Sequence, residues 1–582
     1  MRSGVTICLS AEIVSEMLPR HATISAETEQ ARLFTHTQEA PPFLQADQAI
    51  AMVGLPGRLI VGRTTYVEHM GVRQSYKKRH IAIVGAGPGG LATAMLLAQR
   101  GFRVQVFEKQ DLIGGRNAEL CLGDYRFDLG PTFLMMKFLL DELFAEGGRR
   151  SSDYLQFRKL DPMYALNFPD KTMLARSNPD AMRAEIETHF HGEGASFDRF
   201  LDRESRRFEK IYPCLQKPYG SVASMVSPTL LAAVPHIAAG RSLHKVLASY
   251  FRSEELRLAF TFQSKYLGMS PWDCPGLFTM IPYTEHAHGV YHVMGGLCRI
   301  SHAFADVART EGAEIHTSSP VARVLLDGRR ACGIELANGE KVQCDDVVIN
   351  ADFGHAMSTL FEEKSLRRHK PSALRKRKFS CSTFMMYLGL DRTYDIEHHM
   401  IVFARKYKEN IEAITQGRAA FEDMSLYIRN AGKTDPSGAP AGHSALYILV
   451  PVANNITGIQ WKEHKQRCRE YVLRTLRERT PYGDVTPHIR QERIVTPEDW
   501  EKNHSVFLGA TFNMSHSWNQ MLFMRPHNQF EEFSNCYLVG GGTHPGSGLP
   551  TIFESARISA NLICQKHKVP HPVAKPLELV LA

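Results

Sequence analysis

An α/β fold is predicted by a repeated arrangement in which an apolar strand breaks into glycines and then into a helix. Residues 81–84 are apolar and β-prone, four glycines follow within the next six residues, and a helical pattern runs from 91 to 100. A second strand pattern at 104–107 ends at an acidic residue. The G-x-G-x-x-G spacing between strand and helix, with an acidic residue about 20 positions on, is typical of a Rossmann-like dinucleotide-binding unit.

Each residue of this unit has its own predicted role. Gly85 makes the tight turn, Gly87 lets a pyrophosphate approach the backbone, and Gly90 lets the helix pack on the strand. The positive end of the helix would stabilise the pyrophosphate. Glu108, with Lys109 beside it, ends the second strand, where an acidic side chain is expected to hold a ribose hydroxyl.

Length and composition limit the other possibilities. The 582 residues exceed what one hydrophobic core usually supports, which predicts two intertwined domains. The net charge of +8 is modest and no nucleic-acid-binding module accompanies it, so we expect no nucleic acid partner. None of the eleven cysteines forms a C-x-x-C pair, which argues against a zinc ribbon or a disulfide framework and fits a reducing cytoplasm. No apolar run reaches the roughly 18 residues that span a bilayer, so a soluble or peripheral protein is expected.

Two further segments extend the predicted cofactor site. Gly114-Gly115-Arg116 follows the second strand and suits a loop around an extended cofactor, in which Arg116 neutralises phosphate. This pairing of loops favours a flavin over a nicotinamide. Residues 536–550 again run from a strand into glycines and a helix. A helix N-terminus at that point would stabilise negative charge on the pyrimidine ring of a reduced flavin.

The remaining patterns predict how the domains are divided. The apolar run 347–352 resembles a buried parallel strand that returns to the first sheet, so the cofactor domain is discontinuous. We expect a helical and irregular insertion after residue 132, and further on strands at 382–390 and 445–452 and a helix at 461–479. The predicted units are an N-terminal extension at 1–78, expected to be disordered, a cofactor domain at 79–132, 295–360 and 530–567, a substrate domain at 133–294 and 361–529, and a tail at 568–582.

A basic run and a group of histidines allow more than one interpretation. Residues 367–378 hold seven arginines and lysines, which fits either docking to an anionic membrane or a solvated helix flank. His286, His288 and His292 are close in sequence, but no carboxylate or cysteine is spaced to complete a metal shell. We therefore expect no metal ion and treat these histidines as core or pocket residues.

The combined motifs resemble the bacterial and fungal-type phytoene desaturases, flavin-dependent carotenoid desaturases within the amine-oxidase-like flavoproteins. The resemblance covers about residues 79–566 and is carried by 84–91, 114–116, 128–132, 289–296, 350–352 and above all 542–550, Gly-Thr-His-Pro-Gly-Ser-Gly-Leu-Pro. It implies a Rossmann-like FAD-binding domain and a discontinuous α+β substrate domain. Segments 379–389 and 280–282 most resemble desaturases of C30 backbones. The resemblance adds the following residues to the expected FAD site: Gly130, Pro131, Thr132, Val321, Gly542, Gly548 and Pro550.

The resemblance also implies a reaction, the removal of two hydrogens across a carbon-carbon bond of a long lipophilic polyene. A hydride would pass to the flavin and a proton to a weak base or water, so positioning and a dry pocket matter more than a strong acid-base pair. Glu285, His286 and His288 are candidate proton acceptors, and His544 is expected near the flavin because the last glycine turn is. A membrane surface would supply the substrate, and quinone or oxygen would reoxidise the flavin. The protein would be cytoplasmic and peripherally membrane-associated.

Four alternatives remain open at this point. Relatives with the same architecture oxidise the terminal methyl groups of carotenoids or, like retinol saturase, run the chemistry in reverse. A non-enzymatic GDI or Rab-escort-like binding protein would have degraded glycine motifs, whereas all are intact here. An amine oxidase is less expected, because Thr543 and His544 stand where such enzymes carry an acidic residue.

Overall fold

The computed structural model describes residues 50–55, 58–63 and 78–572. Residues 1–76 form a unit separate from 77–582. Within the first unit, strands β1 (Ile50–Leu55) and β2 (Arg58–Arg63) pair antiparallel. This hairpin departs from the expected disorder, because two apolar β-prone runs flank a Pro-Gly turn signal. The rest of the predicted extension, and the tail beyond residue 572, lie outside the described residues.

A five-stranded parallel sheet forms the centre of the predicted cofactor domain. Its strands, in the spatial order β11-β4-β3-β15-β21, are β11 (Glu314–His316), β4 (Arg103–Phe107), β3 (His80–Val84), β15 (Asp346–Ile349) and β21 (Cys536–Leu538). All four neighbouring pairs are parallel. Because the glycine segments follow β3 and β21, both lie at the same, carboxyl edge of the sheet.

Residues 77–582 also contain a second sheet, which has seven strands. In spatial order its strands are β20 (Ile489–Val495), β16 (Ser382–Leu390), β19 (Ser444–Val452), β18 (Leu426–Asn430), β17 (His399–Val402), β8 (Tyr164–Asn167) and β9 (Thr172–Ala175). The strands predicted at 382–390 and 445–452 are therefore present. The segment 133–294 is not only helical and irregular, since it supplies β8 and β9. Short strands with few alternating residues give little periodic signal.

Smaller strands and the helices complete the fold. The remaining strands are β5 (Glu119–Leu122), β6 (Tyr125–Asp128), β7 (Phe157–Lys159), β10 (Tyr291–Val293), β12 (Val321–Asp327), β13 (Arg330–Leu336) and β14 (Lys341–Gln343). The helices are α1 (Pro88–Gln99), α2 (Lys137–Ala145), α3 (Pro179–His189), α4 (Gly194–Leu215), α5 (Pro228–Ala233), α6 (Leu243–Leu247), α7 (Glu254–Ala259), α8 (Met280–His288), α9 (Cys298–Thr310), α10 (Phe353–Thr359), α11 (Pro371–Leu374), α12 (Tyr407–Thr415), α13 (Trp461–Arg479), α14 (Pro497–Lys502) and α15 (Leu549–His567).

Both sheets are covered on both faces, which explains why their central strands are almost continuously apolar. Alternate residues of β15 show this: Val348 packs with α1, α9 and α15, whereas Val347 and Ile349 pack with the β12–β14 meander. In β16, Phe384 faces α13 and Tyr387 faces the β5–β6 hairpin. A third, aromatic-rich core lies among α3 to α8 and α12. The face of the second sheet that carries Tyr387 is therefore turned toward the loop that follows β6.

Candidate active site

The first glycine loop has the geometry that its sequence predicts. Gly85 has φ +98°, and a Cβ there would lie 2.5 Å from the Asn350 carbonyl oxygen, so only glycine fits the turn. A Cβ at Gly90 would lie 2.2 Å from the Gly85 carbonyl oxygen, which explains the close packing of α1. A Cβ at Gly87 would first meet the Asn350 amide nitrogen, 2.9 Å away. The side chain of Asn350 therefore braces the loop, donating to the Gly85 carbonyl oxygen at 3.2 Å.

The acidic residue at the end of β4 is fixed beside this loop. Glu108 is buried, and its carboxylate accepts hydrogen bonds from the backbone N–H groups of Ala86 (2.8 Å) and Gln110 (3.0 Å). Each oxygen keeps acceptor capacity for a further donor such as a ribose hydroxyl. Burial lowers the pKa of the neighbouring Lys109, which hydrogen-bonds Ser505. The loop and the carboxylate together fit the adenosine end of a dinucleotide.

The second loop (114–116) contacts the first, and the third loop (128–132) contacts the second. The Gly114 N–H donates to the Ala86 carbonyl oxygen at 2.8 Å, and a Cβ at Gly115 would lie 3.4 Å from the Gly87 Cα atom. A Cβ at Gly130 would lie 2.4 Å from the carbonyl oxygen of Arg116. The three loops therefore form one continuous backbone surface.

The arginine predicted to meet phosphate is already engaged within the protein. Arg116 donates to the Thr511 carbonyl oxygen at 2.8 Å and lies 3.8 Å from a carboxylate oxygen of Asp352. Burial raises the pKa of Asp352 despite this cation. Arg116 therefore links the second loop to the start of α10 and retains further donors for an anion.

Tyrosines from the second sheet fix the third loop. The Tyr387 hydroxyl donates to the Leu129 carbonyl oxygen at 2.6 Å, and the Tyr447 hydroxyl donates to the Gly130 carbonyl oxygen at 2.8 Å. Thr132 is hydrogen-bonded to a third tyrosine, Tyr427. Segment 128–132, which is predicted to contact the cofactor, thus lies where the two sheets meet. Pro131, also predicted to contact the cofactor, lies in the same segment and is half-buried.

The C-terminal glycine turn reaches the first loop although more than 400 residues separate them. A Cβ at Gly89 would lie 2.7 Å from a Val539 side-chain carbon and 3.0 Å from one of Ile552. Gly548, with φ +113°, is the N-cap of α15, and Pro550 lies in its first turn. A Cβ at Gly542 would lie 2.5 Å from the Phe353 Cβ atom. The expected FAD-binding segments therefore converge at one edge of the parallel sheet.

Val321 is the predicted cofactor residue that is most separate from these loops. It begins β12 and is partly buried against the core between the parallel sheet and the meander. The β-strand that carries it follows β11, the edge strand beside β4. Its contact with the cofactor stays a prediction.

Among the candidate proton acceptors, Glu285 has the most distinctive surroundings. It is fully buried on α8, and one carboxylate oxygen accepts hydrogen bonds from the Tyr164 hydroxyl at 2.9 Å and the Gln263 amide at 2.8 Å. Burial raises the pKa of Glu285 to about 7, and the hydrogen bonds from Gln263, Tyr164 and Tyr266 oppose that shift. A carboxyl group with a pKa near neutrality can exchange a proton at working pH.

The three histidine candidates are placed less favourably for proton transfer. His286 hydrogen-bonds the Arg176 carbonyl oxygen at 3.1 Å and packs on two phenylalanines, and burial lowers its pKa to about 4. His288 packs against Phe138 and Phe208, and burial lowers its pKa. His544 packs edge-on against Tyr219, and burial, assisted by Arg525, lowers its pKa to about 3. These rings are therefore neutral at physiological pH, and each packs against aromatic side chains.

A buried polar network at the junction of the two sheets was not predicted from the sequence. Arg429 and Asp128 form an ion pair at 3.1 Å, and both are nearly inaccessible. His292 is paired with Asp435 at 3.0 Å. The network also includes His398, His399 and Tyr427, with 2.8 Å between His399 Nδ1 and the Tyr427 hydroxyl. The sequence contained two indications of this network: the adjacent His398 and His399, and charged residues within otherwise apolar strands. These residues come together only through the tertiary arrangement of β17, β18 and β10, which the sequence did not predict.

Comparisons with known proteins show which family the chain belongs to. Residues 88–564 match the model of the flavin containing amine oxidoreductase family. The chain is 51% identical over 491 residues to a 4,4'-diapophytoene desaturase (4,4'-diapolycopene-forming) of Methylomonas sp, covering 84% of this chain and 96% of the relative. It is 37% identical over 512 residues to an all-trans-zeta-carotene desaturase of Myxococcus xanthus, covering 86% and 97%.

Solved structures show the same fold at lower sequence identity. An oxidoreductase from Methanosarcina mazei has a TM-score of 0.56 and 17% identity, covering 84% of this chain and 100% of that one. Cyclohexylamine oxidase from Brevibacterium oxydans IH-35A has a TM-score of 0.55 and 16% identity, with the same coverage. The chain belongs to the flavin-containing amine oxidoreductase family, with FAD as its cofactor, and within that family to the carotenoid desaturases.

Proposed function

We propose that this protein is an FAD-dependent desaturase of a C30 polyene of the 4,4'-diapophytoene type. The observation that carries the proposal is the convergence of three glycine loops beside a buried aromatic layer, in a chain half identical to a desaturase of that substrate. Bound in these loops, FAD would accept a hydride from the polyene. The protein itself has to position the chain, exclude water and take up the accompanying proton.

Glu285 is proposed to accept that proton. Phe133, directly after the third loop, packs edge-on against Tyr266, and Tyr266 lies beside the Glu285 carboxylate. The aromatic core therefore connects the carboxylate to the third loop, beside which the flavin ring is proposed to lie. Hydrogen bonds from Tyr164 and Gln263 hold the carboxylate in place, and its pKa of about 7 allows it to release the proton afterwards. The aromatic surroundings also stabilise the positive charge that develops on the polyene.

A membrane surface is proposed as the source of the lipophilic substrate. The described helices include none that is long and apolar enough to cross a bilayer. Large exposed apolar side chains are instead concentrated in two neighbouring segments, which we call the apolar patch. Its members are Val222, Val226, Leu231, Val234, Trp518 and Met524.

The two segments of the apolar patch pack on one core, residues that flank them approach each other, and the second segment lies beside the basic run. Leu522 packs on the same core as Met225, and a Cβ at Gly220 would lie 3.8 Å from His527 Nδ1. Arg377 donates to the Met524 carbonyl oxygen at 3.4 Å. Apolar side chains bordered by basic ones are typical of docking to an anionic lipid surface. This arrangement favours docking over a merely solvated helix flank.

Anaerobic incubation with defined substrates tests the proposed function. The purified protein with FAD is mixed with colourless C30 or C40 polyene in anionic vesicles, with a quinone as acceptor, and a parallel aerobic sample tests oxygen. We expect coloured products with added conjugated double bonds, formed faster from the C30 chain. Products oxidised at terminal methyl groups, or saturation of a polyene, would identify one of the alternative reactions instead. Protein that holds no FAD would contradict the enzymatic proposal.

A further inference from the structure

One fully buried arginine lies directly behind the C-terminal glycine turn. Arg525 is 0% exposed. Its guanidinium donates to the carbonyl oxygens of Gly541 at 2.7 Å and Thr543 at 3.1 Å. Its other acceptors are the carbonyl oxygens of Met514, Ser515 and Gln520, at 3.2 to 3.4 Å. Every hydrogen-bond acceptor that it contacts among the described residues is thus an uncharged backbone carbonyl.

A buried cation without a carboxylate partner is unusual, because desolvation of a charge is costly unless an opposite charge compensates it. The other buried arginines show the usual arrangement, since Arg207 pairs with Glu204, Arg429 with Asp128, and Arg557 with Glu554. Burial lowers the pKa of Arg525 to about 9, which leaves the group charged at neutral pH. The positive charge of Arg525 is therefore available to act on whatever lies on the other side of the turn.

The peptide groups that Arg525 contacts transmit its charge to that side. The Gly541 and Thr543 carbonyls belong to the same peptide units as the N–H groups of Gly542 and His544. Both N–H groups lie in buried residues and donate to no acceptor in the described part of the chain. Buried backbone hydrogen-bond donors normally have an acceptor. Hydrogen bonding to the carbonyl side of a peptide polarises it and strengthens the donor on its nitrogen.

The histidines nearest to this turn carry no charge, and the charged neighbour that acts on Arg525 is a second cation, Arg377, which also lowers the pKa of Arg525. Burial, with Arg525 as the next cause, lowers the pKa of both His544 and His516 below the ordinary value. Both rings are therefore neutral at working pH. His516 accepts a hydrogen bond from the Ser547 N–H at 3.1 Å, so it also braces the turn. Arg525 is thus the cation that contacts the backbone of this turn.

We propose that Arg525 is a positioning residue that raises the reduction potential of the FAD held at this turn. Transfer of a hydride brings two electrons and one proton, which leaves one additional negative charge on the cofactor. Arg525, acting through the N–H groups of Gly542 and His544 and together with the N-terminus of α15, stabilises that charge. The inference rests on the proposed function only in assuming that the pyrimidine end of FAD lies at this turn.

The test compares two substitutions in the purified FAD-containing protein by equilibration with redox dyes. Arg525→Gln keeps a donor to the carbonyls and loses the charge, whereas Arg525→Lys keeps the charge. We expect Arg525→Gln to shift the oxidised-to-reduced ratio at a fixed potential by at least about tenfold, which is about 30 mV for a two-electron couple. Arg525→Lys should remain closer to the parent. Arg207→Gln, at a buried arginine that donates to His236, Glu204 and Thr279 and to no residue of the turn, is the matched control and should leave the potential unchanged.

A pH series keeps the proposal testable if Arg525→Gln does not fold. A lysine at this buried position should lose its charge at a lower pH than arginine does. The potential of Arg525→Lys should therefore fall further below that of the parent as the pH is raised from about 6 to about 9. FAD-containing variants whose potentials match the parent at every pH would overturn the inference. Wild-type protein without FAD would overturn it together with the proposed function, whereas altered potentials without desaturation would contradict only the proposed substrate.

Discussion

The two halves of the site are built by opposite means. On the cofactor side, glycines let backbone segments approach one another, as where a Cβ at Gly90 would lie 2.2 Å from a carbonyl oxygen. On the substrate side, buried side chains dominate, with Glu285 held by Tyr164 and the Arg429–Asp128 pair sealed between the sheets. The first half depends on the absence of side chains, and the second on pairs that are distant in sequence. Substitutions should therefore affect the two halves differently.

The largest effect is expected from adding one methyl group to the cofactor side. In Gly90→Ala the new Cβ meets a backbone oxygen that cannot move without opening the turn at Gly85. We expect loss of nearly all bound FAD and a destabilisation of about 3 kcal/mol or more. Flavin absorbance per protein and urea unfolding measure both quantities. The control is Gly432→Ala, where the nearest atom to the new Cβ is 3.8 Å away.

Breaking the ion pair between the sheets should affect stability more than cofactor binding. Arg429→Met leaves the Asp128 carboxylate buried without its partner, which typically costs about 3–5 kcal/mol. Urea unfolding of the FAD-free protein measures this loss. Arg206→Met is the matched control, since the Arg206–Asp202 pair is exposed and should contribute less than about 1 kcal/mol. Equal losses in the two variants would contradict the structural role given to Arg429.

Replacing the proposed proton acceptor should slow the reaction while FAD remains bound. In Glu285→Gln we expect kcat to fall by about 10²-fold or more. In the parent, kcat should rise with pH through the pKa of about 7, and this rise should be absent in the variant. In Tyr164→Phe the rise should move to higher pH, because a hydrogen bond that lowers the Glu285 pKa is lost. A Glu285→Gln variant with the kcat of the parent would exclude Glu285 as the acceptor.

The same substitution has a stability effect of defined sign. The pKa of Glu285 is about 7 in the folded state and 4.5 ordinarily, so the folded state binds more protons between these values. Ionisation of Glu285 therefore lowers the stability of the parent as the pH rises through this window. Glu285→Gln should be more stable than the parent at pH 8, and this advantage should shrink toward pH 4. Thermal unfolding of both proteins across this pH range measures the difference.

The smallest effect is expected at the surface. Val222→Ser combined with Val226→Ser removes two strongly exposed apolar side chains from the apolar patch. Binding to anionic vesicles should weaken by roughly thirtyfold or more, because burial of each of the two valines contributes about 1 kcal/mol or more. FAD content and stability should not change. Ile456→Ser, at a similarly exposed residue outside the patch, is the control, and equal vesicle binding by all three proteins would contradict the docking surface.

A helix, strand or site was predicted well where its sequence pattern lies within one continuous segment, and poorly where it depends on distant residues. The strand at 382–390 and the helix at 461–479 have the predicted bounds, because each carries a long apolar or amphipathic pattern of its own. Strands β8, β9 and β17 are short, and their place in the seven-stranded sheet depends on partners elsewhere in the chain. The surroundings of Glu285 come from α8, β8 and residue 263, so its raised pKa could not be derived from sequence spacing.

The sequence by itself determined the parts of this protein in which glycine is required. At Gly85, Gly90 and Gly542 the backbone closely approaches other backbone or a neighbouring side chain. The need for glycine at such a place can be recognised from the single residue. Only the tertiary structure decided which buried charges are compensated. Arg429 pairs with Asp128 across the junction of the two sheets, whereas Arg525 donates only to carbonyl oxygens behind the last glycine turn. The reason is physical: the free energy of a buried charge depends on every group around it, and those groups come from distant parts of the chain.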